Sequence, residues 1–203
     1  MQHAPAPAIT DTSVVALSDG ETAGLRQEIA RLKRENRALS IALAEMERVA
    51  ERDMLTPLFN RRYFLSALHQ RIARVDRYAD RVVLIYVDVD GLKSINDRFG
   101  HAAGDFALIE TANRLSSAMR DGDVLARIGG DEFGILLDQI DANEARGKMR
   151  RFAATISDDP VDYDGNRIAL SATFGMTMIT PGAAAEELIG RAESAMYRAK
   201  RGG

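Results

Sequence analysis

Along residues 21–52 the apolar positions fall at Leu25, Ile29, Leu32, Leu39, Leu43 and Met46, alternately four and three apart, with Asn36 filling the gap. That is a heptad seam, with Leu25, Leu32, Leu39 and Met46 at d and Ile29, Asn36 and Leu43 at a. A helix laid on a globular core usually shows a wider apolar face, so the narrow stripe points to a partner helix. Glu21 with Arg26, and Glu28 with Lys33, occupy g and e positions with opposite signs. A lone Asn at an a position selects a parallel, in-register dimer at some cost in stability. The expectation is a parallel dimeric coiled coil over 21–52, about four heptads or roughly 45 Å long. Residues 1–20, rich in Ala, Pro, Ser and Thr, are expected to be a mobile arm.

From Asp53 the periodicity becomes that of a globular domain, 53–203. Asn60 to Val75 reads as a helix with Phe64, Leu65, Leu68 and Ile72 inward. Val82 to Val87 is a short continuous apolar run, hence a buried strand. Asp105 to Met119 is a helix with Leu108, Ile109, Ala112, Leu115 and Met119 on one face. Val124 to Leu137 reads as a β-hairpin with Gly129-Gly130 at its turn, where glycine would supply positive φ. Ala142 to Ile156 is helical. Ile168 to Met178 alternates as one half-exposed strand, and Ala185 to Lys200 is the last helix. The order β-α-β-β-α-β predicts an α+β fold. It would have a mostly antiparallel central sheet with flanking helices, a ferredoxin-like or polymerase-palm core preceded by the coiled-coil helix.

Composition narrows the chemistry. The 203 residues are 46% hydrophobic and 28% charged, which fits one domain of about 150 residues plus an extension. There are no cysteines, so disulfides and thiolate metal sites are excluded. A metal would have to be held by oxygen or by one of the three histidines. The net charge of −3 gives no general attraction to nucleic acid or an anionic membrane. No apolar run approaches the ~20 residues of a membrane span, and the start lacks a signal-peptide pattern. The expectation is a cytoplasmic, soluble protein that binds neither nucleic acid nor membrane.

Two pairs of carboxylates carry the candidate chemistry. Asp88 and Asp90 end the buried strand, and Asp131 and Glu132 follow the hairpin glycines. In a split β-α-β architecture those places can lie on neighbouring central strands, so that their carboxylates converge on one hard cation and leave positions for phosphate oxygens. Taken singly, Asp88 can simply cap the next helix and Asp131-Glu132 can be a solvated turn. Between the pairs, Gly91, Gly100 and Gly104 punctuate a stretch that reads as loop. It holds Asn96 and Asp105, whose amide and carboxylate suit the edge of guanine. A polar site so matched rejects adenine, because unmatched donors and acceptors are costly.

Three segments in this order and spacing go further: Asp53-Met-Leu-Thr-Pro-Leu-Phe-Asn-Arg-Arg-Tyr-Phe64, Asp88-Val-Asp-Gly-Leu-Lys-Ser-Ile-Asn-Asp-Arg-Phe-Gly-His-Ala-Ala-Gly-Asp105 and Arg127-Ile-Gly-Gly-Asp-Glu-Phe133. From about Asp53 to the end the chain strongly resembles the GGDEF family, the diguanylate cyclases. The resemblance implies condensation of two GTP into cyclic di-GMP with release of two pyrophosphates, by a homodimer. It implies that Asp88, the Val89 carbonyl and Asp131 hold Mg²⁺ (or Mn²⁺), with Glu132 helping a second ion or activating the attacking hydroxyl. Whether Asp131 or Glu132 is the base stays open. Asn96 and Asp105 would bind guanine, with His101 lining the same pocket. Gly129, Gly130 and the backbone near Gly91 and Leu92 would cradle phosphates, and Lys93 and Lys200 would meet the triphosphate.

Many members also carry an inhibitory product site, Arg-x-x-Asp separated by five residues from the first glycine. Arg120-Asp-Gly-Asp123 fits, with Val124 to Ile128 between, and an ungapped match to the family would imply Arg151 as a second arginine. Two departures stand out. Pro57 replaces a usual Gly, and the sequence ends at Ala199-Lys-Arg-Gly-Gly203, before the arginine that the family pattern places next. The roughly 50 residues ahead of the domain are too few to be expected to form a sensory domain. Regulation is therefore expected through the coiled coil, a partner on it, or the product site. The competing reading is a catalytically inactive GGDEF module that binds GTP or cyclic di-GMP as a receptor or scaffold.

Overall fold

A computed structural model describes residues 19–202, apart from the side chains of 19–21, 43–45 and 47–49. The expected arm falls mainly on residues 1–18, outside the described residues, as do the side chains of Glu21 and Leu43. The chain divides into two compact units, residues 1–48 and 49–203.

The first unit is a helix, α1, Asp19–Glu51, whose last turn belongs to the second unit. Leu25, Ile29, Leu32, Leu39 and Met46 expose 50–70% of their surface. Such a stripe gains nothing from water and favours a partner. Along the helix Arg31 pairs with Glu28 at 2.8 Å and Glu35 at 3.1 Å, spacings that stabilise a helix locally.

The second unit is built on a five-stranded sheet in the order β1-β3-β4-β2-β7. Its strands are β1 (Phe59–Asn60), β2 (Val82–Val89), β3 (Val124–Arg127), β4 (Glu132–Asp138) and β7 (Ala172–Met178). β2 lies between β4 and β7, antiparallel to both, and only the short β1 runs parallel to its neighbour β3. The expected palm-like arrangement is therefore present.

The continuous apolar run of β2 is explained by cover on both faces. Val83, Ile85, Val87 and Val89 face one core, shared with α4 (His101–Ser117) and α5 (Ala142–Ser157). Val82, Leu84 and Tyr86 face the other, shared with α2 (Arg61–Tyr78) and α6 (Ala185–Gly202). Asn60 caps α2 by accepting from Tyr63 N–H, and its amide donates to the carbonyls of Ala50 and Arg52. Asp141 and Glu144 form a capping box that starts α5.

Two sequence expectations need correction. The stretch after Asp90 is not a loop: α3 (Leu92–Phe99) fills it, and α4 begins at His101. Glycines bound α3 at both ends, and only Ile95 of it is buried, so its period is hard to see. The single strand expected over 168–178 is two. β6 (Asn166–Ile168) pairs with β5 (Val161–Tyr163) in a separate hairpin, and the chain then re-enters the main sheet as β7.

Gly175 lets α6 lie close on β7. A Cβ there would stand 2.1 Å from Met196 N and 2.2 Å from Ala192 O, both backbone atoms that cannot swing aside. Gly175→Ala is expected to cost about 1–3 kcal/mol through overpacking, read as a lower urea midpoint. An unchanged midpoint would contradict this contact.

Candidate functional site

The two acidic pairs meet as the topology requires. Asp88 stands opposite Glu132 in the β2–β4 register, and Val89 N–H donates to the Asp131 carbonyl at 3.0 Å. Asp88, Val89 and Asp131 thus come from adjoining segments, and the carboxylates and the Val89 carbonyl expected to hold a metal are all oxygen donors, the kind that suits a hard divalent cation. Among the described residues no cluster of three acidic or histidine side chains forms a metal site. This donor set has two carboxylates and a carbonyl, so it is not of that kind. The locus already draws a cation: the Lys200 ammonium, from the end of α6, donates to Asp88 and lies 4.0 Å from Asp90. Its bond to Asp88 raises the Lys200 pKa against the pull of burial, helped by the fields of Asp88, Asp90 and Asp131.

The other two carboxylates are turned elsewhere. Asp90 accepts from Ser171 Oγ at 3.0 Å and Thr173 Oγ1 at 2.8 Å, on the β7 side. Burial, and then the Glu132 carboxylate beside it, pushes the Tyr86 phenol well above its ordinary pKa, so Tyr86 stays protonated next to Glu132. Its place in an apolar strand gave no hint of that neighbour.

The hairpin glycines differ from expectation. Neither Gly129 nor Gly130 is among the glycines with positive φ. A Cβ at Gly129 would lie 2.1 Å from Glu132 Oε2, so glycine there leaves that carboxylate its place without forcing the side chain to shift.

Beside the hairpin tip opens a cleft of about 520 Å³. Leu92, Lys93, Asn96, His101, Asp105, Gly130 and Asp131 line it, joined by Asp97, Gly104, Leu108 and Arg127. Most of the nucleotide-binding residues expected from sequence therefore share one cavity, whereas Gly91, Gly129 and Lys200 do not line it. Gly91 begins α3 at φ 68°, a conformation that favours glycine. Gly104 has a second role: a Cβ there would fall 1.9 Å from Asn96 Oδ1, so a bare Cα leaves Asn96 its place in the cleft.

Arg127 is a residue the sequence did not single out. Its guanidinium donates to the Gly130 carbonyl at 2.7 and 3.2 Å and pairs with Asp53 at 3.3 Å. Asp53 also accepts from Thr56 N–H and the Thr56 hydroxyl, each at 2.8 Å. Burial raises the Asp53 pKa, but the Thr56 bonds and Arg127 outweigh it and hold it below the ordinary 3.8. A carboxyl depressed by folding adds stability above its unfolded pKa, and that stability is lost as pH falls through the folded value. Asp53→Asn is thus expected to soften the drop in thermal midpoint between roughly pH 5 and pH 3. Superimposable pH profiles would contradict it.

A second cavity, of about 500 Å³, brings together Arg120, Asp123 and Arg151. Sequence reading missed Lys148, which pairs with Asp123 at 2.7 Å with both side chains largely buried.

The second unit is thus a palm-like sheet with an acidic strand end beside a polar cleft. The family model described as "Diguanylate cyclase, GGDEF domain" matches residues 50–203, and the chain belongs to the GGDEF family. It is 33% identical to diguanylate cyclase DgcP of Pseudomonas aeruginosa, over 91% of this chain and 27% of that protein. With the probable diguanylate cyclase DgcE of Escherichia coli K12 it shares 36% identity, over 79% of this chain and 15% of the relative. The chain thus spans about a quarter or less of the length of these curated relatives. Among solved structures it resembles the coiled coil and GGDEF domain of DgcB from Caulobacter crescentus in complex with c-di-GMP. There the TM-score is 0.79 and the identity 25%, over 88% of this chain and 95% of that one. Diguanylate cyclase SiaD of P. aeruginosa, solved with its activator SiaC, gives a TM-score of 0.73 at 31% identity, over 91% of this chain and 74% of that one. No helix among the described residues is long and apolar enough to cross a membrane.

Proposed function

We propose that this chain is a diguanylate cyclase that joins two GTP into cyclic di-GMP and releases two pyrophosphates. The observation that carries the reading is the shared cleft. Asn96 and Asp105 stand in it with Lys93, Gly130 and Asp131, and Asp131 is bonded through its backbone to the strand that carries Asp88.

Each residue then has a task that its place supports. Asn96 and Asp105 bind the guanine edge, with His101 on the same wall. Lys93, Gly130 and the start of α3 at Gly91 and Leu92 hold phosphates, helped by Gly129, which leaves room for Glu132. Asp88, the Val89 carbonyl and Asp131 would hold Mg²⁺ or Mn²⁺. When bound there, a divalent cation supplies charge neutralisation at the phosphates and lowers the pKa of the attacking 3′-hydroxyl. Lys200, tied to Asp88, stands ready to exchange that partner for triphosphate oxygens. Tyr86 lies beside Glu132, whose carboxylate packs over Gly129. The choice of base between Asp131 and Glu132 is a matter for separate variants at each.

The product has two equivalent 3′–5′ bonds, so two domains must face each other, each serving an attack on the other's GTP. The exposed seam of α1 supports a parallel coiled coil that delivers the second copy. The Arg120–Asp123–Arg151 cavity is the product site: guanidinium groups stack on guanine and pair with phosphate, and Asp123 reads the guanine edge. Product bound there inhibits the enzyme.

Equilibrium binding tests the cleft. GTP should bind far more tightly than ATP, and Asn96→Ala should erase most of that preference. Equal affinity for both nucleotides would remove the basis of the reading. GTP held but never turned over would leave a receptor.

A further inference from the structure

The cavity around Arg120 has a charge problem if its ligand is a dinucleotide with two phosphates. Four carboxylates line it, those of Asp121, Asp123, Asp138 and Glu144, against three cations, Arg120, Lys148 and Arg151. Lys148 neutralises Asp123. Asp138 is neutralised from behind the wall by Arg71, a residue of α2 that does not line the cavity.

Arg71 is 8% exposed, and each of its three guanidinium nitrogens donates a hydrogen bond. Its Nε donates to Asp138 Oδ1 at 3.0 Å and its Nη2 to Asp138 Oδ2 at 3.1 Å, a forked pair. Nη2 also donates to the Gly122 carbonyl at 3.0 Å. Gly122 sits at φ 94° between Asp121 and Asp123. One buried guanidinium therefore cancels an acidic charge on the cavity wall and pins the backbone of the loop that carries Arg120 and Asp123. Arg74 stands 3.6 Å from Asp138 but is half exposed and shared with Asp80, so it does not replace Arg71.

We propose that Arg71 is a positioning residue of the product site, holding the 120–123 loop and the Asp138 charge so that an anionic guanine dinucleotide meets a preformed, less acidic wall. This rests on the reading of that cavity as the product site. Ordering the loop in advance lowers the cost of binding.

The test uses the full chain and compares Arg71→Met, Arg71→Lys and Arg71→Met/Asp138→Asn with the parent, alongside Arg120→Ala. Cyclic di-GMP affinity is measured by calorimetry, inhibition by initial rates of GTP turnover at rising cyclic di-GMP, and folding by thermal midpoint. Arg71→Met should weaken binding and inhibition on the order of tenfold, as for one lost charge-assisted hydrogen bond. Arg71→Lys keeps the charge but not the fork and should fall between. Removing the carboxylate in the double variant should restore part of the affinity. The KM for GTP should stay at its parent value throughout, a split that general loosening of the fold would not give. If Arg71→Met fails to fold, Arg71→Lys decides. Parent affinity in the folded Arg71 variants, with binding lost in Arg120→Ala, overturns the proposal alone. Parent affinity in Arg120→Ala overturns the product-site reading, and the proposal with it.

Discussion

Asp131→Ala is expected to lower GTP turnover by about 10³ or more, on the scale of losing one preorganised electrostatic group at a reaction centre, while the domain stays folded. The asymmetry follows from which atoms do what. The bond that joins the hairpin tip to β2 is accepted by the Asp131 backbone carbonyl from Val89 N–H. Alanine keeps that bond and removes only the carboxylate that lines the cleft. Circular dichroism and thermal midpoint should therefore match the parent as activity disappears. Glu132→Gln is the informative companion. Its packing over Gly129 can persist without the charge, so a residual rate well above that of Asp131→Ala would assign the base to Asp131. Full activity in Asp131→Ala would sink the metal assignment.

Removing residues 1–48 should have the next largest effect. The cut follows the boundary between the two compact units, so the Asn60 bonds to Ala50 and Arg52 remain. What goes is the seam of Leu25, Ile29, Leu32, Leu39 and Met46. A tether of this kind raises the effective concentration of one domain near the other to about the millimolar range. At micromolar protein the truncated chain should lose roughly 10²-fold or more in specific activity and recover as its concentration rises. Leu32→Glu with Leu39→Glu should act in the same way and abolish the dimer in sedimentation. Unchanged specific activity in dilute protein would reject the coiled-coil role.

What the sequence made legible was what lies close together along the chain. The apolar run of β2, the hairpin around Gly129-Gly130 and the helices through Phe64, Leu115 and Phe152 have enough turns or alternations to show a period. The cleft residues Lys93, Asn96, His101 and Asp105 fall within one short motif. Short elements escaped: α3 buries only Ile95, and β1, β5 and β6 are too brief to alternate. Partners far apart in sequence escaped too. Arg127 finds Asp53 across 74 positions, Lys200 finds Asp88 across 112, and Arg71 finds Gly122 across 51. Nothing local marks these pairs, because they exist only once the sheet has placed its strands. Tyr86 shows a further limit, since an aromatic in a buried strand reads as packing until the Glu132 carboxylate is found to shift its phenol. The glycines at 129 and 130 were legible as a turn, but neither has positive φ; Gly129 leaves room for the Glu132 carboxylate, while a Cβ at Gly130 would meet open space.

The central claim is that this chain makes a dinucleotide from GTP. The direct measurement is to incubate the purified, concentrated full chain with GTP and Mg²⁺, removing product with a phosphodiesterase in a parallel sample to relieve inhibition, and to resolve nucleotides and pyrophosphate over time. The account predicts cyclic di-GMP, or its linear hydrolysis product where the phosphodiesterase is present, with two pyrophosphates for each dinucleotide. GTP recovered intact from protein that demonstrably binds it would contradict the account.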